Sequence, residues 1–187
     1  MLYIILAQVF GAVALGLICF SYFVKNKLKF FLLQIGGDLF YGLAYFVVDS
    51  RVAGLITLLS TCRCVYLYFA EKYNFKYKNH CLIVFILGYI SLGIAFWTSW
   101  VDIVPIITAS MFTVAYACKN LQLLRSLSLI PNIVLIVFNI YSFAFVSSIL
   151  DLIETIVLIV AIIKFSRKKH DNAKDIELSS TKIDKIK

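Results

Sequence analysis

Two neighbouring apolar segments, residues 30–48 and 52–70, are each long enough to cross a bilayer, and each carries a formal charge near its middle: Asp38 in the first, Arg63 in the second. A hydrocarbon core of ~30 Å needs about 20 helical residues at 1.5 Å rise each. A charge at that depth costs at least ~2.5–3.5 kcal/mol, so a helix that only filled lipid would keep neither. Two readings follow. Either Asp38 and Arg63 pair and pin two helices together, or they line a polar cavity at the membrane midplane.

The rest of the chain sets the context. Of 187 residues, 62% are hydrophobic and only 15% are charged, with a mean hydropathy of +0.94. Such a composition belongs to a polytopic membrane protein and leaves no room for a soluble catalytic domain. The net charge of +8 does not point to nucleic acid, because the basic residues sit at the ends of apolar segments, where they set topology. Cys19, Cys62, Cys64, Cys81 and Cys118 all fall within or at the edge of apolar segments. They read as small core residues, with neither zinc spacing nor a disulfide framework. No basic stretch precedes the first apolar run, so that run reads as a retained span rather than a cleaved signal.

Seven candidate spans emerge, at residues 3–24, 30–48, 52–70, 81–97, 102–118, 123–141 and 147–165; the last two come from one long apolar run split at 141–147. Basic clusters follow the first, third, fifth and seventh spans: Lys25, Lys27 and Lys29, then Lys72, Lys76 and Lys78, then Lys119 and Arg125, then Lys164, Arg167, Lys168 and Lys169. The alternate loops hold only Arg51. The positive-inside rule then places the N-terminus outside and the C-terminus in the cytoplasm, with Trp97 and Trp100 at the outer interface. The charged tail, 167–187, is expected to be a mobile, solvated segment near anionic lipid.

An internal repeat runs through the spans. At an offset of 94, Tyr22, Lys25 and Asn26 fall on Tyr116, Lys119 and Asn120, while Gln34, Asp38 and Tyr45 fall on Ser128, Asn132 and Asn139. These polar trios each keep to one helix face at 3.6 residues per turn. Gly11 falls on Pro105 and Gly37 on Pro131, matched points where a helix is weakened and can hinge. After the short outer loop the offset becomes 91, and Thr57, Ser60 and Arg63 fall on Ser148, Asp151 and Glu154. The expected fold is therefore an all-α membrane protein with seven transmembrane helices. They form two parallel three-helix repeats, residues 1–71 and 101–166, joined by a loop and linker helix over 72–100. Transporters of the SWEET type are built this way, with substrate bound at the repeat interface.

The carboxylates placed within spans are Asp38, Asp151 and Glu154, against one cation, Arg63. Lipid does not tolerate that excess unless water, a cation or protons compensate. Asn132 and Asn139 would either hydrogen-bond a polar solute or glue helices together at ~0.6 kcal/mol each. No nucleophile–base pair, phosphate loop or metal cluster stands out, so neither catalysis nor a cofactor is expected.

Several stretches resemble the YgjV family of bacterial inner-membrane proteins: the opening Leu6-Ala7-Gln8-Val9-Phe10-Gly11, the charged loop at 25–29, Thr61-Cys62-Arg63-Cys64-Val65-Tyr66, the isolated Pro105, Asn139 and Asp151, and the basic close Ile162-Ile163-Lys164-Phe165. The resemblance implies a multi-pass protein of the bacterial inner membrane and speaks to fold more than to activity. The chain departs from the related PQ-loop transporters, because Pro105 precedes Ile106 and Pro131 precedes Asn132.

These readings converge on a small-solute transporter or facilitator. Its site would be drawn from Asp38, Arg63, Asn132, Asn139, Asp151 and Glu154, with hinges at Gly11, Gly37, Pro105 and Pro131. The alternative is a non-transporting interaction or assembly protein with a packed polar core. The expected partners are the bilayer and an unidentified small polar substrate, with a homo-oligomer left open.

Overall fold

The computed structural model describes residues 2–47, 51–76, 78–96, 103–141 and 145–184. Within them the chain forms seven α-helices and no strand: α1 Leu2–Phe23, α2 Lys27–Val47, α3 Arg51–Lys72, α4 Lys78–Ala95, α5 Ile103–Ala117, α6 Leu121–Tyr141 and α7 Phe145–Asp184. Four helices are long and apolar enough to cross a membrane, over Ile5–Phe23, Lys27–Val47, Ala53–Lys72 and Leu121–Tyr141, while His80–Ala95 and Ile103–Ala117 are shorter apolar helices. Trp97 and Trp100 lie outside the described residues.

Local chemistry explains the helix boundaries. Asn26 Oδ1 accepts the Leu28 N–H at 2.9 Å and starts α2; Asn120 Oδ1 accepts the Gln122 N–H at 2.9 Å and starts α6. Pro105 is the third residue of α5, where a missing N–H leaves no gap. Pro131 lies inside α6 and is fully buried, so it deprives the Leu127 carbonyl of its usual partner in mid-helix. The backbone of α7 continues into the charged tail as far as Asp184. No glycine or proline lies within α7 to interrupt it.

Helix packing traces a closed path. α1 packs on α2, α2 on α3, α3 on α5, α5 on α6, α6 on α7, and α7 back on α1, while α4 bridges α3 and α5. The ring is sealed by an apolar plug in which Tyr22, Phe30, Phe31, Cys64, Leu67, Leu124 and Leu158 are all fully buried. Phe30 stands edge-on to Tyr116 with ring centroids 5.5 Å apart, and Phe31 is 6.2 Å from the same ring. Gly37 allows α1 and α2 to close: a Cβ there would lie 2.5 Å from Ile18 Cγ1 and 3.3 Å from the Ala14 carbonyl oxygen. At Gly11, by contrast, a Cβ would meet nothing within 4 Å.

The basic ends of the helices gather at one end of the bundle and are cross-tied. Lys27 Nζ donates to the Cys118 carbonyl that closes α5, at 2.7 Å, and pairs with Glu71 at 3.1 Å. Arg125 Nη2 donates to the Val24 carbonyl just past α1, at 2.7 Å, and its guanidinium covers the Phe165 ring at 4.3 Å. A cation at a helix C-terminus also meets the negative end of the helix dipole.

Candidate functional site

Asp38 lies eleven residues into α2, ~16 Å from its basic start at 1.5 Å per residue, which is mid-depth in a ~30 Å core. Gln34, Asp38, Tyr41 and Tyr45 follow helical spacing along one face of α2. Near the plug that face is closed, with Gln34 2% exposed and donating to Ser21 Oγ at 2.9 Å. Further along it opens: Asp38 and Tyr41 are half-buried and Tyr45 is 37% exposed. Tyr41 and Tyr45 stack with centroids 6.4 Å apart and lie within electrostatic reach of Asp151 on α7.

Across the ring, α6 and α7 contribute matching polar groups. Glu154 Oε1 accepts both the Tyr22 hydroxyl at 2.7 Å and Asn132 Nδ2 at 3.2 Å. Asn139 Nδ2 donates to Asp151 Oδ2 at 2.6 Å. Asn139, Asp151 and Glu154 are half-buried, whereas Asn132 is only 2% exposed. Asp38, Asp151 and Glu154 each keep one carboxylate oxygen without a hydrogen bond among the described residues.

Arg63 sits at the floor of this polar space, against the plug, and is 4% exposed. Its Nη1 donates to Thr113 Oγ1 at 2.9 Å and to the Ala109 carbonyl at 3.2 Å, both on α5, and its guanidinium lies 4.9 Å from the Tyr116 ring centroid. Asp38 is within electrostatic reach but forms no direct ion pair with it. The Cys64 thiol stands between them, 3.9 Å from Arg63 Nη2 and 3.4 Å from Asp38 Oδ2. The paired-helix reading of Asp38 and Arg63 thus gives way to contact through a thiol.

The structure brings Asn132 to Glu154, Asn139 to Asp151, and Asp38 to Arg63 through Cys64. It also enlists residues that the sequence reading used differently. Tyr22 had served only as a repeat marker, Cys64 as core filler, and Lys27 and Arg125 as topology signals. Thr113 carried no signal beyond its place on a helix. A cavity of about 570 Å³ opens elsewhere, between α4, α5 and α6, and is lined by Ile90, Ile94, Ile106, Met111, Val114 and Leu127 among others. Its apolar walls suit hydrocarbon rather than polar chemistry.

An all-helical bundle with four helices fit to span, and with charges gathered inside rather than on the lipid face, defines a multi-pass membrane protein. Residues 5–169 match the family model Imp-YgjV, bacterial inner membrane protein. The chain belongs to that family, which places it in the bacterial inner membrane. Neither a curated protein nor a solved structure matches it.

Proposed function

We propose that this protein is a small-solute transporter of the inner membrane, not an enzyme, whose substrate binds at mid-membrane between two parallel three-helix repeats. The observation that carries this reading is the uneven access to the ring interior. Phe30, Phe31, Cys64, Leu67, Leu124 and Leu158 are fully buried towards the basic end, while Asp38, Tyr41, Tyr45, Asn139 and Asp151 are partly exposed beyond them. With the N-terminus outside and the basic end in the cytoplasm, this is an outward-facing vestibule above a closed cytoplasmic gate.

Several features support the repeat. α1 and α5 end 94 residues apart, at Phe23 and Ala117, and α2 and α6 begin 94 apart, at Lys27 and Leu121. The turns between them share their backbone bonds at that offset: Val24 N–H to the Ser21 carbonyl matches Cys118 to Ala115, and Phe30 to Asn26 matches Leu124 to Asn120. At an offset of 91 the buried Cys64, Leu67 and Ala70 fall on Thr155, Leu158 and Ala161, also buried. The α3–α5 contact then corresponds to the α7–α1 contact, and Arg63 against Tyr116 corresponds to Glu154 against Tyr22. The cross-ties are reciprocal in the same sense, because Val24 and Cys118 are 94 apart. Rocking of one triplet on the other would break the ties and turn on Gly11, Gly37, Pro105 and Pro131, of which Pro131 interrupts the ladder in mid-helix.

The alternative, a packed interaction protein, is favoured by the saturation of Glu154 Oε1 and Asp151 Oδ2 by neighbouring side chains. Single cysteines at 38, 63, 132, 139 and 151, in a chain stripped of its five native ones, separate the two. Labelling by an impermeant thiol reagent from the outer face is expected at 38, 139 and 151. A folded protein that labels at none of the five positions would overturn the transporter reading.

A further inference from the structure

We propose that Arg63 anchors the carboxylate of a zwitterionic solute of the amino-acid class, and that the accessible oxygens of Asp38 and Glu154 receive its ammonium group. This rests on the transporter reading and deepens it. A guanidinium buried to this degree is costly unless a counter-charge meets it directly, yet no carboxylate of the described residues lies within 4.0 Å of Arg63. Its two terminal nitrogens are used unequally. Nη1 is fixed by two acceptors on α5, whereas among the described residues the buried Nε has no hydrogen-bond partner and Nη2 has only the Cys64 thiol at 3.9 Å. A thiol at that distance is a weak contact. The unused pair, Nε with Nη2, is an edge that grips a carboxylate through two parallel hydrogen bonds.

The plane of that fork is already set. Thr113, the Ala109 carbonyl and the Tyr116 ring hold the guanidinium from the far side, so little freedom remains to be lost on binding. Asp38 does not fill the fork, because its Oδ2 is engaged by Cys64. Asp38 Oδ1 and Glu154 Oε2 remain open acceptors, and Asp38 lies within electrostatic reach of both Arg63 and Glu154. A bare anion would be repelled by these carboxylates, and a bare cation by Arg63. A molecule carrying both charges satisfies the two sides together.

The test is thermal unfolding of the purified full-length protein in detergent, in constant chloride, with glycine, L-alanine, L-glutamine, β-alanine, γ-aminobutyrate, acetate or ethylammonium at equal millimolar concentration. At least one zwitterion is expected to raise the midpoint, with acetate and ethylammonium without effect. Arg63→Lys keeps the charge but loses the fork, and should abolish the shift. Lys119→Arg, at an exposed cation between α5 and α6, should retain it. Should Arg63→Lys fail to fold, Thr113→Val loosens the fork instead and should raise the concentration needed by tenfold or more, on the order of one lost hydrogen bond. No shift with any zwitterion, an equal shift with acetate, or a shift that survives Arg63→Lys would overturn the assignment. If the cysteines label while no zwitterion binds, the transporter reading stands and this solute class falls; if neither happens, both fall.

Discussion

Replacing Lys27 and Arg125 with methionine removes the two cations that tie α2 to the end of α5 and α6 to the end of α1. Each stands 2.7 Å from a carbonyl just past the end of that helix. A hydrogen bond from a charged donor contributes ~1.5–3 kcal/mol net. Methionine retains most of the stem that packs over Phe31 and Phe165, so the loss falls mainly on the charge. Glu71 loses this one contact but is partly exposed, and water compensates it. The double replacement therefore favours an opened basic end by ~3–6 kcal/mol. At tenfold per ~1.4 kcal/mol, the opened population rises on the order of 10²–10⁴-fold. Cys64 reports the change, because it is fully buried behind the plug in the closed form. In a chain lacking Cys19, Cys62, Cys81 and Cys118, the alkylation rate of Cys64 by an impermeant reagent on the basic side measures the opening equilibrium. Each single variant is expected to accelerate it by ~10–100-fold. A double variant that melts cooperatively yet labels no faster than its parent would refute the idea that these contacts hold the gate.

Three further outcomes are expected. A double-mutant cycle of Tyr22→Phe with Glu154→Gln, read by reversible denaturation in mixed micelles, should give a coupling near the upper end seen for membrane hydrogen bonds, ~1.5 kcal/mol, because the contact is short at 2.7 Å and largely shielded from solvent. Gly37→Ala should destabilise the fold by ~1–3 kcal/mol through its collision with Ile18 and the Ala14 carbonyl, while Gly11→Ala, facing open space, should be neutral or stabilising in the same assay. Cys64→Val, which keeps the buried volume but removes the contact joining Asp38 to Arg63, should cost ~1 kcal/mol or more in that assay, and Cys64→Ser should recover part of it.

Much of the fold was legible because hydropathy and helix punctuation are local signals. The apolar run ending at 165 was split at 141–147, and α6 ends at Tyr141 with α7 starting at Phe145. Cys64 is fully buried, as expected of a small core residue, whereas Cys62 is exposed because two residues along a helix turn it to another face. No glycine or proline lies within α7, and its backbone runs on into the charged tail as far as Asp184. The candidate residues were legible as a set, since polar groups in apolar helices stand out. Their partners were not. Thr113 and Cys64 are ordinary helix residues in sequence, and nothing local marks them as neighbours of Arg63.

The sequence by itself determined that the chain lives in a bilayer, where its helices begin, and which few polar groups it keeps within them. The bilayer acts as a solvent that reads each segment's hydropathy separately, and caps such as Asn26 and Asn120 act within a single turn. The tertiary structure alone decided that Arg63 faces Thr113 and a thiol rather than Asp38, that Lys27 reaches the end of α5 while Arg125 reaches the end of α1, and that Phe30, Phe31, Leu67, Leu124 and Leu158 are fully buried while Asp38 and Asp151 stay partly exposed. Those outcomes depend on the rotation and spacing of helices about one another. Residues 50 to 132 positions apart in the chain meet there, and a periodicity of 3.6 fixes the face of one helix but not which neighbour that face will meet.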